Sequence, residues 1–350
     1  MNQTSKKALI ICLILIAAIG VAVYGRTQGG DSQLVDAPIK IGGVFALTGL
    51  GSWQGEQEFK ASKLALEEIN AKGGIDGRML ELIAEDVSLD KLKVAPAAAS
   101  KLIGVDKVTA MVGTTWDEPA QVIVPIVDAA KIPMVGHDQT RSIEKAQSYG
   151  YFFNTRHQDE IAIDTLLAHA QSKGIRKVAM LRPLAAGFYQ FVADHIHKSA
   201  ANYGITIIDD VNMNNSATTD FRTFITKIKA SKPDAVFMVV NGFTECNFLR
   251  QASELKLGVP VLSVDSAQDY KSLSDCAKVM ENITFVYPKK SAGYAAFAQR
   301  FESRYGVPPQ TPSAVTAYDS MMMLAEGLKK TDGKGGEALR EAIKSLSGYK

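Results

Sequence analysis

From residue 39 onward, short and near-continuous apolar runs alternate with helical stretches, and no other feature of this chain constrains its fold as tightly. IKIGGVFAL (39–47) leads through a glycine-containing turn into a helix that reaches about Asn70 and stops at Gly73-Gly74, a natural helix terminator. LELIA (80–84) precedes a helix ending near Ile103, VTAMVG (108–113) precedes one begun by Asp117 and Pro119, and IPMVG (132–136) follows. Runs that are apolar at every position, not at every second one, belong to strands covered on both faces, as in a parallel sheet between helices. Around YFFNTR (151–156) the rhythm pauses. It restarts with a helix over 159–172, KVAMLRP (177–183), a helix over 188–202, ITIIDDV (205–211), a helix over 220–231, DAVFMVV (234–240), a helix over 245–256 and VPVLSV (259–264). Right-handed crossovers wind each set into its own layered sheet. The expectation is an α/β chain of two Rossmann-like, doubly wound lobes with parallel sheets and a cleft between them. ITFVYP (283–288) reads as a second crossing, after which helices at 293–304, 312–330 and 336–346 pack back on the first lobe.

The 350-residue length suits two lobes better than one core. Thirty-nine basic and 37 acidic residues, a balance of +2, exclude a nucleic-acid binder that relies on a broad basic surface. The apolar residues are unevenly spread: residues 8–25, ALIICLILIAAIGVAVYG, are preceded by Lys6 and Lys7 and followed by Arg26. As a helix this run spans about 27 Å, close to a bilayer core of about 30 Å, and it has no polar stripe. It reads as an export signal or an uncleaved anchor, with the lysines inside and the rest of the chain outside. Val23 and Gly25 suit a cleavage site, whereas Cys12 lies mid-run, where it does not fit a lipid attachment. In an oxidising compartment Cys246 and Cys276 could pair; each could equally be a small buried apolar residue.

Ligands of open parallel sheets bind beyond the carboxyl ends of the strands. The segments to inspect are therefore Thr48 to Gly55, Thr114 to Glu118, His137 to Thr140, Arg182 to Tyr189, Asn241 to Glu245 and Asp265 to Gln268. The turn TGLGSWQG (48–55) spaces its glycines one residue longer than a dinucleotide fingerprint, lacks the Lys-Ser/Thr of a phosphate loop and carries bulky Trp53. It reads either as a plain tight turn or as one whose amides meet a small carboxylate. None of the five histidines has metal-ligand spacing, and no G-x-S-x-G elbow occurs, so neither metal, cofactor nor catalytic residue is expected. His195 and His197 read as solvated. His137 and Asp138 follow a strand and suit polar contacts to a ligand. Asp265 ends VPVLSV as a helix cap or as the partner of a ligand ammonium. Trp53, Trp116 and Phe243 share this edge, where rings supply apolar contact at little entropic cost. Such a site is built to hold a small molecule, not to transform one.

IKIGGVFALTGLGSWQGEQEFKASKLALEEINAKGGIDGRMLELIAED, with INAKGGIDGR its most specific piece, resembles the opening of type I periplasmic binding proteins of the branched-chain amino-acid-binding group, which serve ABC importers. KLIGVDKVTAMVG, IPMVG, YFFNTR, GFTECNFLRQASELKLGVPVL and SAVTAYDSMMMLAEGLKK resemble their counterparts in order, so the likeness runs through nearly everything after Ile39. It implies a first lobe of residues 38–153 and 288–350 and a second of 154–287, after a signal or anchor with its linker in residues 1–37. It also implies a monomer that closes around one small molecule and meets permease subunits in the membrane. Carried over residue by residue, Trp53 matches the aromatic after the first strand, and Thr115 the hydroxyl for the ligand carboxylate, though the usual serine run is absent. Thr140 matches the hydroxyl after the fourth strand, and Asp265 the acid for the ammonium. In the second lobe Ala186 stands where an aromatic is usual, unless Phe188 or Tyr189 substitutes, and another expected near Asn241 or Gly242 is missing unless Phe243 reaches in. The resemblance also implies closing C-terminal strands in the second lobe, and the sequence stops at Tyr349-Lys350 before any such segment: either it is truncated or that lobe lacks its edge. These departures leave room for an aromatic acid or a polar amide in place of a leucine-type ligand, and a sensor with the same fold is the alternative to a transporter component.

Overall fold

The computed structural model describes residues 37–137, 143, 149–156, 159–184, 187–213, 218–240, 242–264 and 274–346, leaving aside the side chains of Leu89, Gly242, Phe243 and residues 274–276. The apolar run at 8–25 and the predicted site residues Asp138, Thr140, Asn241 and Asp265 lie outside that set. Among the described residues no helix is long and apolar enough to cross a membrane.

The first half forms β1 (Ile39–Phe45), α1 (Ser52–Ala71), β2 (Leu80–Asp86), α2 (Ala95–Gly104), β3 (Ala110–Gly113), α3 (Asp117–Ala129), β4 (Met134–Gly136) and β5 (Phe152–Asn154). All its strands pair in parallel, in the order β2-β1-β3-β4-β5. After a crossing come α4 (Asp159–Ser172), β6 (Lys177–Pro183), α5 (Phe188–Ser199), β7 (Thr206–Met213), α6 (Arg222–Ser231), β8 (Ala235–Met238), α7 (Gly242–Glu254), β9 (Val261–Ser263), α8 (Ser274–Met280) and β10 (Ile283–Phe285). The second sheet, β10-β9-β8-β6-β7, is also all parallel and repeats the winding of the first in reverse listing. Each sheet thus reverses direction between its first and third strands, β1/β3 and β6/β8, and such switch points are where open α/β sheets bind ligands.

Both sheets are covered on both faces, which explains the unbroken apolar runs. On one face of the first sheet Ile39, Ile41 and Phe45 pack with Ala61, Ala65 and Ile69 of α1; on the other Val44 and Met111 pack with Leu102 and Ile123. The first of these cores also takes Phe297 and Phe301 of α9 (Tyr294–Tyr305), Met321 and Leu324 of α10 (Pro312–Lys329) and Leu339 and Ile343 of α11 (Gly336–Lys344). The chain therefore does return to its first sheet.

Three sequence expectations change. ITFVYP is not simply a crossing: β10 pairs with β9 as an edge strand, and the return follows it. The pause at YFFNTR contains β5, the opposite sheet's edge. Both strands are three residues long, too short to show a period. The helix expected over 188–202 ends its α-helical part at Ser199 and tightens into a 3-10 turn over Ala200–Tyr203.

At Gly55, in the second turn of α1, a Cβ would lie 2.2 Å from the Ala46 carbonyl oxygen and 2.7 Å from its nitrogen. Only glycine lets α1 cross the end of β1 this closely. Gly55→Ala gains about 1 kcal/mol of helix propensity but drives a methyl into backbone that cannot rotate aside. We expect a net loss of about 2 kcal/mol, read as a lower urea midpoint.

Candidate ligand-binding site

The β1/β3 switch point is held together by side chains from three loops. The Ala46 N–H, just past β1, donates to the Thr115 hydroxyl at 3.1 Å. That hydroxyl donates its proton to Glu58 Oε2, on the buried face of α1. Gln54, one turn earlier, donates its amide N–H to Glu58 Oε1 at 2.9 Å and accepts the Trp116 indole N–H at 2.8 Å. His137, just past β4, places Nε2 3.1 Å from Glu58 Oε2, with both side chains wholly buried. Its ring stacks on Phe45, with centroids 5.9 Å apart and planes 22° from parallel. Burial opposes the charge on Glu58, but attraction to His137 and hydrogen bonds from His137, Thr115 and Gln54 outweigh it and hold the carboxyl below its ordinary range. A buried charge of this kind persists only when paired.

Trp116 caps α3 with φ 67° and ψ 170°. A bulky residue there costs about 1–3 kcal/mol, which its surroundings must supply. The Thr114 hydroxyl donates to the Trp116 carbonyl at 2.8 Å, and the far edge of the indole lies 3.0 Å from where a Cβ on Gly51 would be. The glycine at 51, itself at φ 97°, thus admits the indole and does not cradle a phosphate.

The turn's amides are also occupied from within. Asp86, ending β2, accepts the Leu47 and Thr48 N–H groups at 2.8 and 3.1 Å, the Thr48 hydroxyl, and Lys91 at 2.8 Å. Burial works against its charge, yet the bonds from Lys91, Thr48 and the two amides win and bring its pKa down to about 2. Asp90 accepts the Leu50 N–H at 3.1 Å. The amides expected to meet a ligand carboxylate meet the protein's own carboxylates instead.

Of the predicted site residues, Trp53, Thr115, Trp116 and His137 converge on this edge. Trp53 and Trp116 are partly exposed there. Thr115 and His137 are buried beneath it, so they organise the edge and do not line it. Gln54 lay inside the turn segment to inspect but was not singled out, and Glu58 escaped sequence reading; their signal is an i, i+4 polar pair on the helix side that also buries Ala61, Ala65 and Ile69.

In the second lobe Glu245, in the first turn of α7, is fully buried and accepts the Ser263 hydroxyl. Cys246, one residue on, is disulfide-bonded. Phe243 belongs to α7 by its backbone. His195 is less solvated than expected: its Nε2 lies 3.1 Å from Asp164 and 3.3 Å from the Ser199 hydroxyl. This Ser–His–Asp group uses one ring nitrogen for both partners, whereas a proton relay needs both nitrogens. No group of three or more metal-ligating side chains occurs among the described residues.

The lobes approach each other where α5 begins. At Gly187, the N-cap of α5 with φ 72°, a Cβ would lie 3.2 Å from Asp117 Cβ and 3.3 Å from Glu118 Oε1. On the crossing between the sheets, Arg156 binds Asp159 at 2.8 Å and sets its guanidinium 5.5 Å from the Phe188 ring centre.

The Periplasmic binding protein family matches residues 38–350. This chain belongs to that family. It is 25% identical over 301 residues to the Leu/Ile/Val-binding protein of Escherichia coli K12, covering 84% of this chain and 80% of the relative. The leucine-binding protein LivK of Thermotoga maritima superposes with a TM-score of 0.80 at 20% identity, over 89% of this chain and 88% of that one. An ABC-transporter solute-binding protein from R. palustris in complex with benzoate gives 0.76 at 20% identity, over 89% and 86%. The fold is that of a type I periplasmic binding protein, and the family is one of extracytoplasmic binding proteins, not enzymes.

Burial, reinforced by the neighbouring Asp117 carboxylate, pushes Glu118 up to about 7. The fold therefore favours the neutral acid: the stabilisation is complete below its ordinary value of 4.5 and is lost as pH rises through about 7. Glu118→Gln should flatten the fall in melting temperature between about pH 5 and 8 by roughly 2–4 °C, followed by calorimetry across that range.

Proposed function

We propose that this protein captures a branched-chain or related amino acid in the interlobe cleft and presents it to the permease of an ABC importer. The observation that carries the reading is the pre-organised edge at the β1/β3 switch point, where the partly exposed Trp116 indole stands on a buried hydrogen-bonded support. The Leu/Ile/Val-binding relatives favour amino acids as the ligand class. In this reading Asp138 and Thr140 complete the first-lobe side of the site. Asn241 and Phe243 face them from the second lobe, and Asp265 pairs with the ligand ammonium. The lobes comprise residues 38–153 with 288–350, and 154–287; the C-terminal helices packed on the first sheet support that division. Residues 8–25 export or anchor a monomeric protein. Cys246 pairs with Cys276, in keeping with its disulfide state and with the packing of α8 on α7.

A second reading, an aromatic-acid binder, is favoured by the two partly exposed tryptophans, Trp53 and Trp116, and by the benzoate complex of similar fold. Titrating the full chain with L-leucine, L-isoleucine, L-valine, benzoate and 4-hydroxybenzoate separates the two. Amino acids should raise the melting point, since a ligand at 100 times its Kd adds about 2.7 kcal/mol. A shift by the benzoates alone would replace the first reading with the second. Asp265→Ala should weaken amino-acid binding by about 30-fold or more, the cost of stranding a buried ammonium, measured by calorimetric titration; unchanged affinity removes Asp265 from the site.

A further inference from the structure

We propose that Glu58 is the positioning residue of the ligand edge: it fixes the Trp116 indole as a wall of the cleft without touching it, through Gln54. The proposal rests on the reading that this edge binds the ligand, but its central measurement needs no ligand.

The inference follows from donor and acceptor arithmetic. An indole N–H can only donate, and a carboxylate can only accept. Gln54 stands between them, 2.8 Å from the Trp116 indole nitrogen and 2.9 Å from Glu58 Oε1. Because Glu58 accepts, Gln54 must turn its NH2 toward Glu58, and its oxygen is then aimed at Trp116. Removing the carboxylate removes the bond that sets which end of the amide faces the indole N–H. The carboxylate is itself immobilised. It is fully buried, and its second oxygen receives the Thr115 hydroxyl and faces His137 Nε2 at 3.1 Å. Glu58 thereby joins the loops after β1, β3 and β4, the three that bear the first-lobe site residues. Among the buried residues of α1 the polar ones are Gln54, Gln57, Ser62 and Glu58, and Glu58 is the single carboxylate, so an acceptor that cannot donate is particular to this position.

Trp53 and Trp116 are the chain's two tryptophans, so Trp53→Phe leaves Trp116 as the sole reporter. In that background of the full chain, Gln54→Met cuts the link beside the indole, and Glu58→Met cuts it one residue further away. Both should shift Trp116 emission to the red and roughly double its quenching by acrylamide, with far-UV dichroism retained. Should Glu58→Met lose its dichroism, Glu58→Asp withdraws the carboxylate from Gln54 by one methylene while keeping its charge, and quenching should rise there too. Wild-type quenching in a folded Glu58→Met or Glu58→Asp protein overturns the proposal. In the protein retaining Trp53, Gln54→Met should weaken L-leucine binding roughly tenfold; wild-type affinity there overturns the functional half of the proposal. Failure of the parent protein to bind L-leucine counts against the ligand reading alone, because the fluorescence comparison is made on free protein.

Discussion

A carboxylate without solvent is the constraint around which the first lobe's ligand edge is arranged. Glu58 sits on the buried side of α1, and its charge survives there because an imidazole, a hydroxyl and an amide turn toward it. Thr115 and, through Gln54, Trp116 tie it to the segment after β3, and His137 ties it to the end of β4. Satisfying one buried group therefore fixes the loops relative to one another, which is what a binding surface of small area requires. Low local dielectric strengthens these bonds and makes any missing partner costly, so the arrangement is close to all or none.

The same economy explains why the edge looks pre-formed. The amides of the turn after β1 are satisfied by Asp86 and Asp90, and Trp116 is held in a sparsely populated backbone conformation by contacts on both sides. Ordering of these loops is completed during folding and need not draw on ligand binding energy. Contact between Gly187 and the Asp117–Glu118 pair brings the second lobe to this edge at a point where glycine leaves room for close approach.

Much of the architecture was legible in sequence because parallel sheets covered on both faces impose an unbroken apolar run on every central strand. The long runs at 39–47, 177–183 and 234–240 correspond to β1, β6 and β8. Edge strands β5 and β10 carry three residues each, and their pairing is a property of neighbours distant in sequence. In the site, Trp53 and Trp116 were legible as aromatics just beyond strands. Gln54 and Glu58 were not, because a polar residue in a helix reads as exposed until the helix's buried face is known. His137 was read as a ligand contact for the converse reason: its position after β4 is visible in the chain, whereas its burial against Phe45 and Glu58 is not.

By itself, then, the sequence determined the alternating α/β layering, the doubling of the sheet and the strand ends at which a ligand edge had to form, since these depend on local periodicity and on the handedness of crossovers. Tertiary structure alone decided which residues at those ends face outward. Thr115 and His137 turned inward and the turn's amides were taken up by aspartates, because each buried polar group must find a partner and the partners lie 38 to 79 residues away along the chain.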